Sequence, residues 1–186
     1  MTEQHAGGSN WKDLVRNHRE EKTETFESTR DSPLSETARK DFDGLEFFSI
    51  SERYRLEGRL ERFQESEEVT LEATRGPPMS FNHVGQLGVT IEDDLFVLAV
   101  YQSPGVDALL VPFRDATNGE TTWERGRYLN IETPADETEQ QSRPTNVTVD
   151  FNLAYHPLSV YDSGVRSAVP PKENAVEAAI RAGEQL

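Results

Sequence analysis

Between Tyr54 and Tyr101 lie successive short runs in which apolar residues recur at every second position. Tyr54, Leu56, Gly58 and Leu60 share one face, then Val69, Leu71 and Ala73, then Leu87, Val89 and Ile91. A period of two sends successive side chains to opposite sides of the backbone, which a helix cannot do, so this half of the chain must be strand. The run LFVLAVY (95–101) is apolar throughout and predicts a central strand covered on both faces. Turn residues interrupt the pattern at Gly76-Pro77-Pro78, Glu92-Asp93-Asp94, Ser103-Pro104-Gly105 and the DATNGE stretch 115–120. Links this short join antiparallel neighbours. The expectation is a mainly β fold: an antiparallel barrel or sandwich with strands at 54–62, 67–74, 84–91, 95–101, 107–113, 121–131 and 146–151.

The flanks read differently. Asn10 can cap an amphipathic helix whose Trp11, Leu14, Val15, His18 and Phe26 face the core, leaving Arg16, Arg19, Glu20, Glu21 and Lys22 as a solvated charge surface. Ser35 starts a second, short helix ending near Asp43-Gly44, and Glu173–Ile180 predicts a short C-terminal helix burying Val176, Ala179 and Ile180. Residues 1–9 are polar and Gly-rich, a flexible tail. The remainder, 10–186, reads as one β-rich domain with a helical segment (10–43) and an acidic mobile loop (132–145).

Charge narrows the function classes. The net charge is −15, and only four residues are lysine. Phosphates would be repelled, so nucleic acid is excluded as a partner. Acid-rich, lysine-poor composition on a folded pattern predicts adaptation to high salt, where ions screen the self-repulsion. Without cysteine there is neither a disulfide nor a thiolate metal site, and the four histidines lack zinc spacing, so no metal or cofactor is expected. No apolar run reaches the length of a membrane span, which points to a soluble, cytoplasmic protein without a membrane partner. Oligomeric state has no signature here.

The least generic stretch is DFNLAYHPLSVYDSGVRSAVPP, 150–171, where Asp150, Asn152, Tyr155, His156 and Tyr161 fall among backbone-restricting prolines. Together with Phe113, Asp115, Thr117 and Gly119, the pair Thr122-Trp123, and Gly126-Arg127-Tyr128-Leu129, it resembles a prokaryotic family known as domain of unknown function 1684. Pro157, Pro170-Pro171, Glu173-Asn174 and Ala182-Gly183-Glu184 extend the resemblance, and a looser part reaches back to Trp11. Members commonly carry Tyr where Trp123 stands, Asn where His156 stands, and cysteines in place of Ser159 and Ser167. The resemblance implies a shared fold and a set of positions rather than a reaction.

The chemistry of these residues leaves alternatives. Asp115, Thr117 and Gly119 do not match an EF-hand ligand pattern, so Asp115 reads as a turn residue accepting backbone N–H bonds. Arg125 and Arg127, two apart on a predicted strand, share a face; a buried guanidinium requires a carboxylate, and Asp150, Glu173 and Glu184 are the candidates. One reading is a structural ion-pair cluster. The other is a small-molecule pocket between the Gly126–Leu129 hairpin and the Asp150–Pro171 segment. There Arg127, Tyr128, Asp150, Asn152, Tyr155, His156, Tyr161, Glu173 and Asn174 would hold a small anionic or polar ligand. Acid–base catalysis at the same place, with Asp150 as base, is the enzyme alternative. No Gly-x-Ser-x-Gly elbow is present to support a serine nucleophile.

Overall fold

In the computed structural model, which describes residues 6–133 and 143–186, with side chains from Asn10 onward, the period-two half of the chain forms one antiparallel sheet. Helix α1 (Ala6–Glu27) and the short α2 (Glu36–Lys40) precede β1 (Glu46–Phe47). Then follow β2 (Arg55–Leu71), β3 (Met79–Ile91), β4 (Asp94–Gln102), β5 (Leu109–Phe113), β6 (Arg127–Ile131), β7 (Thr145–Asp150) and β8 (Glu184–Gln185). The six-stranded sheet runs β6-β5-β4-β3-β2-β7, and β1 pairs separately with β8. The sheet curls into a half-barrel and does not close: β6 and β7 are its two edges. It is therefore neither the closed barrel nor the two-sheet sandwich of the sequence expectation.

The half-barrel closes over its core with irregular chain. Leu60, Leu87, Val89, Leu98, Val111 and Val149 line the concave side, and Phe151, Val176, Ile180 and Ala182 fill the open side. A smaller cluster of Leu71, Phe81, Tyr101 and Ala168 lies apart from that core. Burial of these side chains, worth roughly 1.5–3 kcal/mol each, is the dominant force holding the sheet curled.

Four local readings are corrected. The strands expected at 54–62 and 67–74 are one strand, β2, with an irregular register between Arg62 and Glu67; the charged ESEE run resembles a turn but lies on an exposed stretch of strand. The strand expected at 121–131 begins only at Arg127, because residues 117–122 fold back on themselves. In place of the C-terminal helix there is a single 3₁₀ turn, Lys172–Asn174; Val176 and Ile180 are drawn into the sheet core instead. Helix α1 begins before Asn10, so Asn10 is not its cap.

The buried stripe of α1 also differs from the predicted one. Leu14 is 60% exposed and His18 is exposed, whereas Trp11, Val15 and Phe26 are buried with Arg19 and Lys22 between them. The spacing 11-15-19-22-26 is a helical stripe with two cations in it, their aliphatic stems covering apolar surface while their heads find partners. Ser35 does cap α2, its hydroxyl accepting from the Ala38 N–H. Most of the expected tail and acidic loop, 1–5 and 134–142, lies outside the described residues. Among the described residues no helix is long and apolar enough to cross a membrane.

Candidate functional site

Arg127 anchors the centre of the molecule. The β5–β6 register pairs it with Phe113, and Gly126 precedes it at φ +114°, where a Cβ would strike the Phe113 carbonyl and the Pro170 ring. The guanidinium is 0% exposed. Its Nη2 donates to Asp115 Oδ2 at 2.6 Å and to the Ile180 carbonyl at 2.7 Å; Nη1 donates to the carbonyls of Ala182 at 2.5 Å and Glu184 at 3.0 Å. Asp115 does take the expected turn role, its Oδ1 accepting from the Thr117 N–H at 2.8 Å and from the Thr117 hydroxyl. The partner of Arg127 is thus Asp115, a residue read only as a turn, and Glu184 contributes its carbonyl rather than its carboxylate. Arg125 does not share this environment; it lies outside the strand and pairs with Glu72. Gly119 completes the turn at φ +83°.

Asp150 serves α1. Its Oδ1 accepts from the Asn152 N–H at 3.0 Å and the Asn152 Nδ2 at 2.8 Å, and its Oδ2 accepts from Trp11 Nε1 at 2.6 Å. Asn152 reaches back to Ser51, accepting from its N–H and donating to its carbonyl, both at 2.9 Å. Arg19 donates to the carbonyls of Phe48 at 2.8 Å and Asn152 at 3.0 Å. Burial lowers the proton affinity of both Arg19 and Arg127, with Asp150 and Asp115 respectively opposing that effect.

A third cluster gathers around the Glu184 carboxylate, 1% exposed. Oε1 accepts from Lys22 Nζ at 2.5 Å; Oε2 accepts from the His156 N–H at 2.8 Å and the Tyr161 hydroxyl at 2.9 Å. His156 Nε2 accepts the Trp123 N–H at 3.1 Å, which leaves Nδ1 as the protonated nitrogen, 3.1 Å from the Tyr161 hydroxyl. Burial first, then the Arg127 and Lys22 charges, push the imidazole down to about 3. Glu184 Oε2 stands 3.6 Å from Nδ1 and would favour a charged ring, but the Trp123 N–H facing Nε2 leaves no place for a second proton. Burial and the Glu184 carboxylate raise the Tyr161 phenol, and burial pushes Tyr155 up to about 12. Lys22 and Arg19, assigned from sequence to the solvated face, are both part of these clusters; their place on the 11-15-19-22-26 stripe was the available signal.

The remaining residues are spread out. Tyr128 donates to the Ala168 carbonyl, and Tyr155 to Asn130 Oδ1 at 3.1 Å. Glu173 is exposed and bonds to Tyr101, helping burial to raise that phenol to about 12. Asn174 is 0% exposed and works as a piece of strand. Its Oδ1 accepts the Ala99 N–H at 2.7 Å, and its Nδ2 donates to the carbonyls of Ala99 at 2.9 Å and Pro112 at 2.8 Å. It bridges β4 to β5, which share a single registered pair, Tyr101 with Leu110.

Of the predicted ligand-binding residues, Tyr161 borders a cleft of about 620 Å³ between residues 35–44 and 159–164. Phe42 and Tyr161 meet edge-on across it, ring centroids 6.0 Å apart. Ser35, Thr37 and Ser163 supply hydroxyls, while the Ser159 hydroxyl is buried; Asp41, Asp43 and Asp162 supply carboxylates; no basic side chain among the described residues lines it. Asp162 binds the two walls together, accepting from the N–H groups of Ser35 and Gly164, each at 2.8 Å, and these hold its carboxyl below the usual range. No group of three or more potential metal ligands occurs among the described residues.

An open antiparallel half-barrel, sealed by an irregular C-terminal segment and a helix held through buried polar tips, defines the class of this protein. The chain belongs to the family described as protein of unknown function DUF1684, whose model matches residues 40–185, so the resemblance read from the motifs is borne out. It is similar to the uncharacterized protein from gene locus rrnAC0354 of Haloarcula marismortui, solved by solution NMR. The two are 31% identical, with a TM-score of 0.71 over 96% of this chain and 95% of that one. No curated protein matches the chain.

Proposed function

We propose that this protein is a small-molecule-binding module whose ligand sits in the cleft between residues 35–44 and 159–164. The observation that carries the reading is the lining: hydroxyls and carboxylates around an aromatic floor of Phe42 and Tyr161, with no cation among them. Carboxylates accept hydroxyl protons and aromatic faces take the C–H side of a ring, so a polyhydroxylated neutral ligand fits, and the three carboxylates disfavour an anion. The hairpin Gly126–Leu129 does not line this cleft, and the Arg127 Nη atoms are committed to Asp115 and three carbonyls. Acid–base chemistry at Asp150 gains no support, since both its oxygens already accept protein donors. The acidic surface supports a second inference, that the protein is built for concentrated salt.

The test is a titration of isotope-labelled protein with a panel of sugars and sugar alcohols, followed by amide chemical shifts. Perturbations confined to 35–44 and 159–164, weakened in Asp43→Asn and Ser163→Ala, are expected. A panel without perturbation, together with native mass spectra showing no retained mass on the purified protein, overturns the reading.

A further inference from the structure

The Lys22 ammonium fills a seat whose fixed walls come from distant parts of the chain. Its Nζ lies 2.5 Å from Glu184 Oε1, 4.5 Å above the Tyr155 ring and 5.5 Å from the Phe26 ring. A buried carboxylate beside an aromatic face is the chemistry that holds an organic ammonium: the carboxylate accepts its N–H bonds, and the ring quadrupole attracts its charge.

The seat and its occupant are held differently. Tyr155 is pinned by backbone bonds in both directions with Tyr128, and Glu184 by its N–H to the Ala154 carbonyl. Tyr155, His156, Tyr161 and Glu184 all lie inside the 40–185 span that the family model matches, whereas Lys22 lies outside it. Lys22 reaches in from α1, which is tied to this region by the polar tips of Trp11, Arg19 and Lys22 itself and by Phe26, packed edge-on against Tyr161. The Lys22 side chain is 22% exposed and the Glu184 side chain 1%, so solvent reaches part of the lysine while the carboxylate beneath it is covered.

We propose that the Glu184–Tyr155 seat binds a small organic ammonium from solution, a primary or methylated amine, and that Lys22 is the tethered occupant such a ligand displaces. The site is distinct from the cleft, although Tyr161 borders both. A tethered competitor acts at high effective concentration, so external amines bind the parent chain weakly and bind more tightly once the side chain is removed.

The probes are trimethylammonium and n-propylammonium, with n-propanol as the neutral isostere and NaCl at matched ionic strength. In Lys22→Ala, n-propylammonium should raise the thermal midpoint and bind at least about tenfold more tightly than n-propanol. Equal stabilisation by the alcohol means mere cavity filling and overturns the proposal, as does no stabilisation by either. The parent chain gives a second readout that does not depend on the variant folding. Acetylation of the four lysines, read peptide by peptide, should be slow at Lys22 relative to Lys40, and trimethylammonium, which forms no stable amide with the reagent, should accelerate Lys22 alone. Unchanged Lys22 labelling across the titration overturns the proposal. Both readouts follow the amine and not the sugar panel, so the seat and the cleft can fail separately.

Discussion

His156 gives the acid limb of stability a specific origin. The folded protein holds the imidazole neutral: Nε2 accepts the Trp123 N–H, the ring is 2% exposed, and burial pushes its proton affinity down to about 3 from 6.5. The unfolded chain has no such constraint and titrates near 6.5. A group whose folded value is depressed while its charged form is the acid acts as follows. Above pH 6.5 neither state is protonated and nothing is lost. Below it the unfolded chain gains a proton that the folded chain refuses, so stability falls until the pH reaches the folded value. Each tenfold in proton affinity is worth about 1.4 kcal/mol, so the full drop from 6.5 to about 3 approaches ~5 kcal/mol, roughly half of it lost by about pH 4.5. Urea unfolding at several values between pH 7 and pH 4.5, in the parent and in His156→Asn, isolates this contribution from the carboxylates common to both. The parent should lose about 2–3 kcal/mol more than the variant over that interval. The His156 ring protons should also show no titration in NMR above about pH 4. Parallel acid limbs in the two proteins, or a ring titrating near 6.5, would refute the neutral, N–H-bonded imidazole.

Three further outcomes are expected. Arg127→Met strands the buried Asp115 carboxylate and three carbonyls, and should cost roughly 3–5 kcal/mol in urea unfolding, with Arg127→Met/Asp115→Leu recovering part of the loss; a cost below ~1 kcal/mol contradicts the burial described. Glu92 (φ +51°) and Asp93 (φ +76°) form the two-residue β3–β4 turn in the left-handed region. Asp93→Gly should therefore stabilise by about 0.5–1 kcal/mol, and a loss of stability would show that the Asp93 side chain contributes more than its strain costs. With fifteen net negative charges, the thermal midpoint should rise between about 0.1 and 3 M KCl, as the screening length falls to roughly 3 Å at 1 M. A flat or falling midpoint removes the high-salt reading.

The sheet was legible because its signal is local. Leu87, Val89 and Ile91 alternate wherever they are placed, and Glu92-Asp93 must turn between two strands. The misread segments are those where a distant partner overrides the local pattern. Val176, Ala179 and Ile180 have helical spacing, but the open side of the half-barrel takes Val176 and Ile180 into its core, and their segment stays irregular. At the start of TTWERGR, Thr122 bonds to the Thr117 and Asn118 side chains of the preceding DATNGE stretch and holds the chain in a turn where period two suggested strand. The site followed the same rule. Asp115 lies two residues past Phe113, which faces Arg127, so the two are diagonal neighbours on one face and within reach of a long side chain, although the register alone sets Asp115 opposite Arg125. Trp11 and Asp150, 139 residues apart, left no such trace.

Asn174 sets an order of events. Its amide supplies the link between Ala99 of β4 and Pro112 of β5, and Arg127 takes three of its four partners from carbonyls at 180–184. A chain emerging from the ribosome can therefore pair β2, β3 and β4 early, but the β4–β5 seam stays unlocked and Arg127 stays underpartnered until residues 174–184 are made. Native folding thereby waits for the 174–184 segment, and the Ala99 amide, protected by a side chain rather than by a neighbouring strand, becomes a single-residue clock for it: its hydrogen exchange should track docking of that segment, not opening of the sheet.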